Sequence, residues 1–137
     1  MRKICLLLLL CACSLQAQKK KIQPSQLPEK ALTFIETNFS SVALRQCMQF
    51  TEGDNIRYKA VLADDTEIDL TESGDWTEID GKVHSIQPTF LGPAVIDQIR
   101  KAQPGHRLLK ATKTAKSIDV TLVNGAKLSF DLNGKLK

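Results

Sequence analysis

The order of apolar positions between Leu27 and Trp76 is met again between Leu91 and Leu136, and this repetition constrains the fold more than any other feature of the chain. In the first stretch, Leu27, Ala31, Leu32, Ile35 and Phe39 recur at spacings of three and four, which makes one apolar helical stripe. Pro28 suits the first turn of that helix, with Ser25 or Gln26 before it as a cap. Residues 42–50 read as a strand of less regular alternation. Ile56, Tyr58, Ala60 and Leu62 then alternate with Arg57 and Lys59, Asp64-Asp65-Thr66 forms a turn, and Ile68 and Leu70 alternate with Glu67 and Asp69. Ser73-Gly74-Asp75 is a further turn, after which Trp76 and Ile79 start another strand. At an offset of 64 residues, Leu27, Ala31, Leu32 and Ile35 fall on Leu91, Val95, Ile96 and Ile99. At an offset of 60, Tyr58, Ala60 and Leu62 fall on Ile118, Val120 and Leu122, and Ile68 and Leu70 on Leu128 and Phe130. Asp64-Asp65 then falls on Asn124-Gly125, a strong hairpin turn.

A two-stranded hairpin is barely stable alone, so each helix must cover a sheet. The expected fold is α+β: two tandem repeats, over residues 26–88 and 89–137, each an amphipathic helix packed on a small antiparallel sheet. Aromatic residues make up only 5% of the chain, so the core should be built from Leu, Ile and Val. Leu32, Ile35, Ile96, Ile99, Leu122 and Phe130 lie on matching apolar faces and are the expected core.

Residues 1–17 have the layout of a secretory signal peptide, with basic Met1-Arg2-Lys3, an apolar run from Ile4 to Ala12, and small Ala17 before the cut. The apolar run is too short for a membrane span, which needs ~20 residues, so no transmembrane segment is expected after its removal. Leu10-Cys11-Ala12-Cys13 resembles a lipidation signal only loosely, because Cys11 sits where Ala or Ser is usual; soluble release is preferred to a lipid-anchored form. Of four cysteines only Cys47 then remains, and the mature fold must hold without an internal disulfide. Residues 18–25, with Lys19-Lys20-Lys21 and Pro24, read as a flexible basic tail.

The two halves carry opposite charge. Residues 26–88 hold five basic and twelve acidic side chains, net −7, whereas residues 89–137 hold nine basic and three acidic ones, net +6. Either the halves complement each other, within one molecule or in a weak homo-oligomer, or the basic half faces an acidic partner or surface. Nucleic acid is not expected as a partner, because no stacking aromatics are interleaved with the lysines.

Leu27-Pro28, Asn38-Phe39, the stretch EIDLTESGDW from Glu67 to Trp76, RKAQPG from Arg100 to Gly105 and LSFDLNGK from Leu128 to Lys135 together resemble the PepSY-like, or β-lactamase-inhibitor-like, domains. The likeness spans nearly all of the chain after residue 17. It departs from the family pattern at Thr71, where Asp is common, and at Gln103, where an aromatic residue is usual. The resemblance implies a periplasmic binding or inhibitory module, present here as two copies. Its motifs are turns and core positions, which specify fold rather than ligand.

No catalytic constellation stands out. His84 and His106 lie in loops, and Cys47 near either of them forms a dyad only on paper, because free cysteines are mostly small buried hydrophobes. The acidic stretch from Asp64 to Asp80 and the Asp131-Leu132-Asn133-Gly134 turn hold fragments of a Ca²⁺ loop but not its full ligand spacing, and turn chemistry accounts for both. No enzyme activity, metal or cofactor is therefore expected, with a hydrolase or metal-binding protein as the weaker alternative. Trp76 is either an anchor for a partner or a packed residue. The partner-binding surface is assigned to Arg57, Lys59, Glu67, Asp69, Trp76, Lys110, Lys113, Lys127 and Ser129, facing an unidentified protein or peptide. The alternative is an envelope accessory protein that meets an acidic surface through its basic C-terminal half.

Overall fold

The structure is a computed structural model, and it describes residues 17–137. The signal-peptide reading falls on residues 1–17 and so, but for Ala17, lies outside the described residues. The chain forms β1 (Gln18–Ile22), α1 (Glu29–Asn38), β2 (Leu44–Glu52), β3 (Asn55–Leu62), β4 (Glu67–Thr71), β5 (Trp76–Asp80), α2 (Pro93–Ala102), β6 (Leu108–Lys113), β7 (Ser117–Leu122) and β8 (Lys127–Asp131). Each strand pairs antiparallel with its chain neighbour, which gives one eight-stranded sheet in the order β1 to β8.

This overturns the expected architecture of two helix-on-sheet repeats. The strands of the two halves are joined at a seam, where Glu78, Ile79 and Asp80 of β5 register with Thr112, Ala111 and Lys110 of β6. The buried side of the molecule is correspondingly continuous. One row of mutually registered residues runs through Ile22, Cys47, Ala60, Ile68, Ile79, Ala111, Val120 and Leu128, crossing every strand. Ala60, Ile68, Ile79 and Ala111 at its centre have no exposed surface. The period-two alternation of strands puts this row on one face, and α1 and α2 bury Ala31, Ile35, Val95 and Ile99 in the same cluster. Of the expected core, Ile35, Ile99, Leu122 and Phe130 are buried, whereas Leu32 and Ile96 are half-buried at the helix flanks.

One further expectation is corrected. Residues 18–22 are not a loose tail: they form edge strand β1, whose Ile22 reaches the core while its lysines stay exposed. Lysines on an edge discourage pairing with other chains, so basic character and strand formation coexist here. Four of the few aromatics gather in one place. Phe34 of α1, Phe39 just past its end and Phe90 of the 81–92 connection pack with ring centres 6.1–6.2 Å apart, and Trp76 of β5 stands edge-on to Phe90 at 5.1 Å. The Thr89 hydroxyl donates to Asn38 Oδ1 at 3.1 Å beside them. The start of the second half is thereby held against the helix of the first.

Helix entry follows local chemistry. The Gln23 N–H donates to Gln26 Oε1 at 2.9 Å and closes a short 3-10 turn over Pro24–Gln26. Ser25 and Gln26 are therefore spent on that turn, and Pro28 immediately precedes α1. Gly74, at φ +92°, turns the chain from β4 to β5 against α1, where a Cβ would lie 2.8 Å from the Ala31 nitrogen. Gly125 turns β7 into β8 at φ +87° with nothing within 4 Å of an added Cβ. Gly125→Ala should cost about 1 kcal/mol, the strain of a left-handed residue alone, and Gly74→Ala about 2–3 kcal/mol, because strain and helix displacement add. Equal losses in urea unfolding would show that helix approach does not select glycine at position 74.

Candidate functional site

The face opposite the helices is an uncovered sheet surface among the described residues, and alternation fixes what it presents. One registered row runs through Lys21, Met48, Lys59, Asp69, Glu78, Thr112, Asp119 and Ser129. A second runs through Val61, Glu67, Asp80, Lys110, Thr121 and Lys127. Charge is banded across them: basic on β1 and β3, acidic on β4 and β5, basic again at Lys110 and Lys127. Cross-strand neighbours of opposite sign stabilise such a face.

Lys59 Nζ lies 3.3 Å from Glu67 Oε2 and 3.7 Å from Asp69 Oδ1. Lys82 Nζ reaches the same Glu67 oxygen at 3.1 Å and Asp80 Oδ2 at 3.6 Å. Lys110 Nζ donates to Glu78 Oε1 at 2.8 Å across the seam. At the basic edge, the Arg57 guanidinium sits 4.9 Å from the centre of the Phe50 ring and Lys19 Nζ 5.9 Å from it, a cation–π arrangement. On the other flank, the Ser129 hydroxyl donates to Asp119 Oδ1 at 2.5 Å.

The acidic band is electrostatically uneven. Burial disfavours the Glu67 carboxylate, but the Lys82 and Lys59 ammoniums outweigh it and hold the carboxyl below its ordinary range. Asp69 goes the other way. Burial raises it, the Glu78 and Glu67 carboxylates add to the rise, and Lys59 and Arg57 only partly offset them. Its buried Oδ1 has no hydrogen-bond partner among the described residues, since 3.7 Å to Lys59 is attraction without a bond.

Of the residues assigned from the sequence, Arg57, Lys59, Glu67, Asp69, Lys110, Lys127 and Ser129 share this outer face. Trp76 and Lys113 do not: Trp76 is buried in the aromatic cluster on the helix side, and Lys113 Nζ lies 4.6 Å above its ring. Burial there lowers the Lys113 ammonium from its ordinary range. Sequence reasoning missed Glu78, Asp80 and Lys82. The β-bulge that lets Leu70 face Trp76 breaks simple alternation along β5, and Lys82 enters the network from a left-handed residue just past the strand, at φ +60°. The Asp–Glu run there was the available signal, but it does not say which face it occupies.

The dyad read on paper is not assembled. Cys47 is in the core row with its thiol raised by burial, the reverse of an activated nucleophile, while His84 and His106 are exposed in loops. Among the described residues no three Asp, Glu, His or Cys side chains converge as metal ligands. The Asp131 carboxylate is occupied instead by its own turn, accepting the Asn133 and Lys135 N–H groups at 3.0 and 2.9 Å. Only one ion pair among the described residues, Lys110–Glu78, joins the acidic half to the basic half.

The opposite shifts of Glu67 and Asp69 give opposite pH dependence. Glu67 has a folded value below its unfolded one, so it stabilises above the unfolded value and that contribution is lost on acidification. Asp69 has a folded value above its unfolded one, so its relative contribution is greatest when it is protonated and is lost as pH rises through the folded value. Asp69→Asn should therefore raise Tm by ~3 °C at neutral pH, and Glu67→Gln should lower it by about as much. Both differences should shrink in acid, where the native carboxyls are protonated. A Tm gain for Asp69→Asn that persists unchanged in acid would rule out ionisation as its cause.

Comparison with known proteins follows the fold. No curated protein matches the chain. A periplasmic protein of Bacteroides thetaiotaomicron, described as a "putative calcium-regulated periplasmic protein", superposes with a TM-score of 0.78 at 28% identity, over 87% of this chain and 94% of that one. A periplasmic protein of unknown function from Bacteroides vulgatus superposes with a TM-score of 0.78 at 26% identity, over 88% of this chain and 97% of that one. The model of the family described as "Putative beta-lactamase-inhibitor-like, PepSY-like" matches residues 56–137, which include β3 to β8 and α2. This chain belongs to that PepSY-like family.

Proposed function

We propose that this chain is an exported, periplasmic and non-enzymatic binding or inhibitory module whose outer sheet face takes a protein or peptide. The observation that carries the reading is the width of that face. It is continuous over eight strands, it has no covering layer among the described residues, and its charge is ordered in bands. Broad, banded charge favours recognition of a partner with complementary bands, because it fixes register and penalises wrong partners. Half-buried Phe50, set between the Lys19 and Arg57 side chains, adds apolar area that can be desolvated at the basic edge. The periplasmic location is supported by the descriptions of the similar structures, and the inhibitory option by the family's name. The calcium regulation ascribed to one similar protein is not carried over, given the engaged Asp131 carboxylate.

A second reading places the basic half against an acidic envelope surface. Its support is that Lys101, Lys116, Lys135 and Lys137 have no carboxylate partner among the described residues, whereas Lys110 and Lys113 are already engaged by Glu78 and Trp76. Site-specific photo-crosslinkers separate the two. Probes at Thr121 and Ser129 on the outer face should give a discrete adduct in envelope preparations, and a probe at Thr37 on α1 should give none. Adducts from Thr37 alone would remove the outer face from the proposal. For the second reading, Lys101→Glu with Lys116→Glu should weaken binding to anionic vesicles in flotation at least about thirtyfold, the equivalent of ~1 kcal/mol for each of the two lysines. Unchanged flotation would discard it.

A further inference from the structure

On the helix side, beside the end of α2, the structure holds a cleft of about 400 Å³ that the outer-face reading does not use. Its volume falls within the ~300–1,000 Å³ of small-molecule sites. The floor is apolar: Ile86, Ile99 and Leu108 lie there, each of them largely buried. The rim carries two cations: Arg100 and Arg107 line it beside His106, no acidic side chain does, and neither guanidinium has a carboxylate partner among the described residues. The cleft is therefore amphipathic, with positive charge on one side only.

We propose that this cleft binds a free medium-chain aliphatic carboxylate, with its tail on the Ile86, Ile99 and Leu108 floor and its head group between Arg100 and Arg107. Two features select this class over a peptide. A peptide brings amide groups that must be hydrogen-bonded when buried, and the floor offers no polar side chain to bond them. The Ile86 N–H of that floor is already spent, donating to Leu108 O at 2.8 Å. An alkyl tail needs no such partners. A single carboxylate suits guanidinium groups, whose planar donors match its two oxygens and offset its desolvation. The site is separate from the outer face, and its failure would leave the proposed function standing.

The test is titration of the described chain, residues 17–137, with octanoate, followed by amide shifts in two-dimensional NMR and by calorimetry. Saturable shifts confined to residues near Ile86, Ile99 and Arg107 are expected. Butyrate, which lacks the tail, and octanol, which lacks the charge, should each bind at least tenfold more weakly. Arg100→Gln with Arg107→Gln, both on exposed side chains, should weaken octanoate at least tenfold while leaving Tm unchanged. Ser85→Trp, at the exposed mouth, should block binding without touching the cations. Absence of saturable shifts, octanol binding as well as octanoate, or unchanged affinity in the double arginine variant would each overturn the proposal. So would capture by anionic vesicles with no response to free octanoate, which would assign the arginines to a surface rather than to a ligand.

Discussion

The seam between β5 and β6 is the constraint on which the remainder of this molecule depends. It has only three registered pairs, fewer than any other ladder in the sheet. Yet it puts Ile79 against Ala111, both without exposed surface, at the middle of the core row. Two backbone bonds extend it, from the Gly81 N–H to Leu109 O at 2.9 Å and from the Ile86 N–H to Leu108 O at 2.8 Å. The aromatic cluster of Phe34, Phe39, Trp76 and Phe90 braces it on the helix side, where its value exceeds the area buried because edge-to-face rings attract. Without the seam there would be two short sheets, each with its own exposed edge and a small core. With it there is one sheet, and the outer face has its full width.

Secondary structure was largely legible from periodicity. The stripe of Leu27, Ala31, Ile35 and Phe39, and the alternation of Tyr58, Ala60 and Leu62, placed helices and strands close to where they lie. Pairing was not legible, because alternation tells which face a residue occupies and not which strand lies alongside. The similarity of the two halves therefore suggested two units, whereas the joining residues, Ile79 and Ala111, are ordinary core positions with no mark of a seam. β1 escaped for a different reason. Three consecutive lysines hide the period of two, since an edge strand can expose both of its faces and only Ile22 is buried. The outer-face candidates on β3, β4 and β8 were legible because those strands are regular. Trp76 was not, because a bulge decides its side, and the partner of Lys113 is a ring from another strand.

The opposite charge of the two halves resolves unevenly. Within the acidic half, Lys30, Arg45, Lys59 and Lys82 are each matched to a carboxylate nearby, so much of the charge there is internally organised. These pairs are exposed or half-exposed, and each adds little to stability. Those of Lys59 and Lys82 fix side-chain positions on the outer face. Among the described residues, the basic half has only Lys110 so matched, by Glu78. Its remaining cations act at longer range, drawing anions toward α2 and the β6–β8 strands, and that attraction weakens with salt.

The strand order carries a consequence for how the chain acquires its structure. Because every strand pairs with its neighbour in sequence, most ladders close across a few residues, and their loop-closure entropy is small. Two closures are longer: β1 to β2 across residues 23–43 and β5 to β6 across residues 81–107, and these are the two connections that contain the helices. Local hairpins should therefore form early, while the docking of each helix and the two long closures come later, in keeping with the slower formation of contacts distant in sequence. The shortest ladder in the sheet thus becomes a late step in assembly. Until it closes, β5 and β6 are both temporary edges, and the acidic band on one beside the lysines of the other supplies charge that keeps such edges from pairing with other chains.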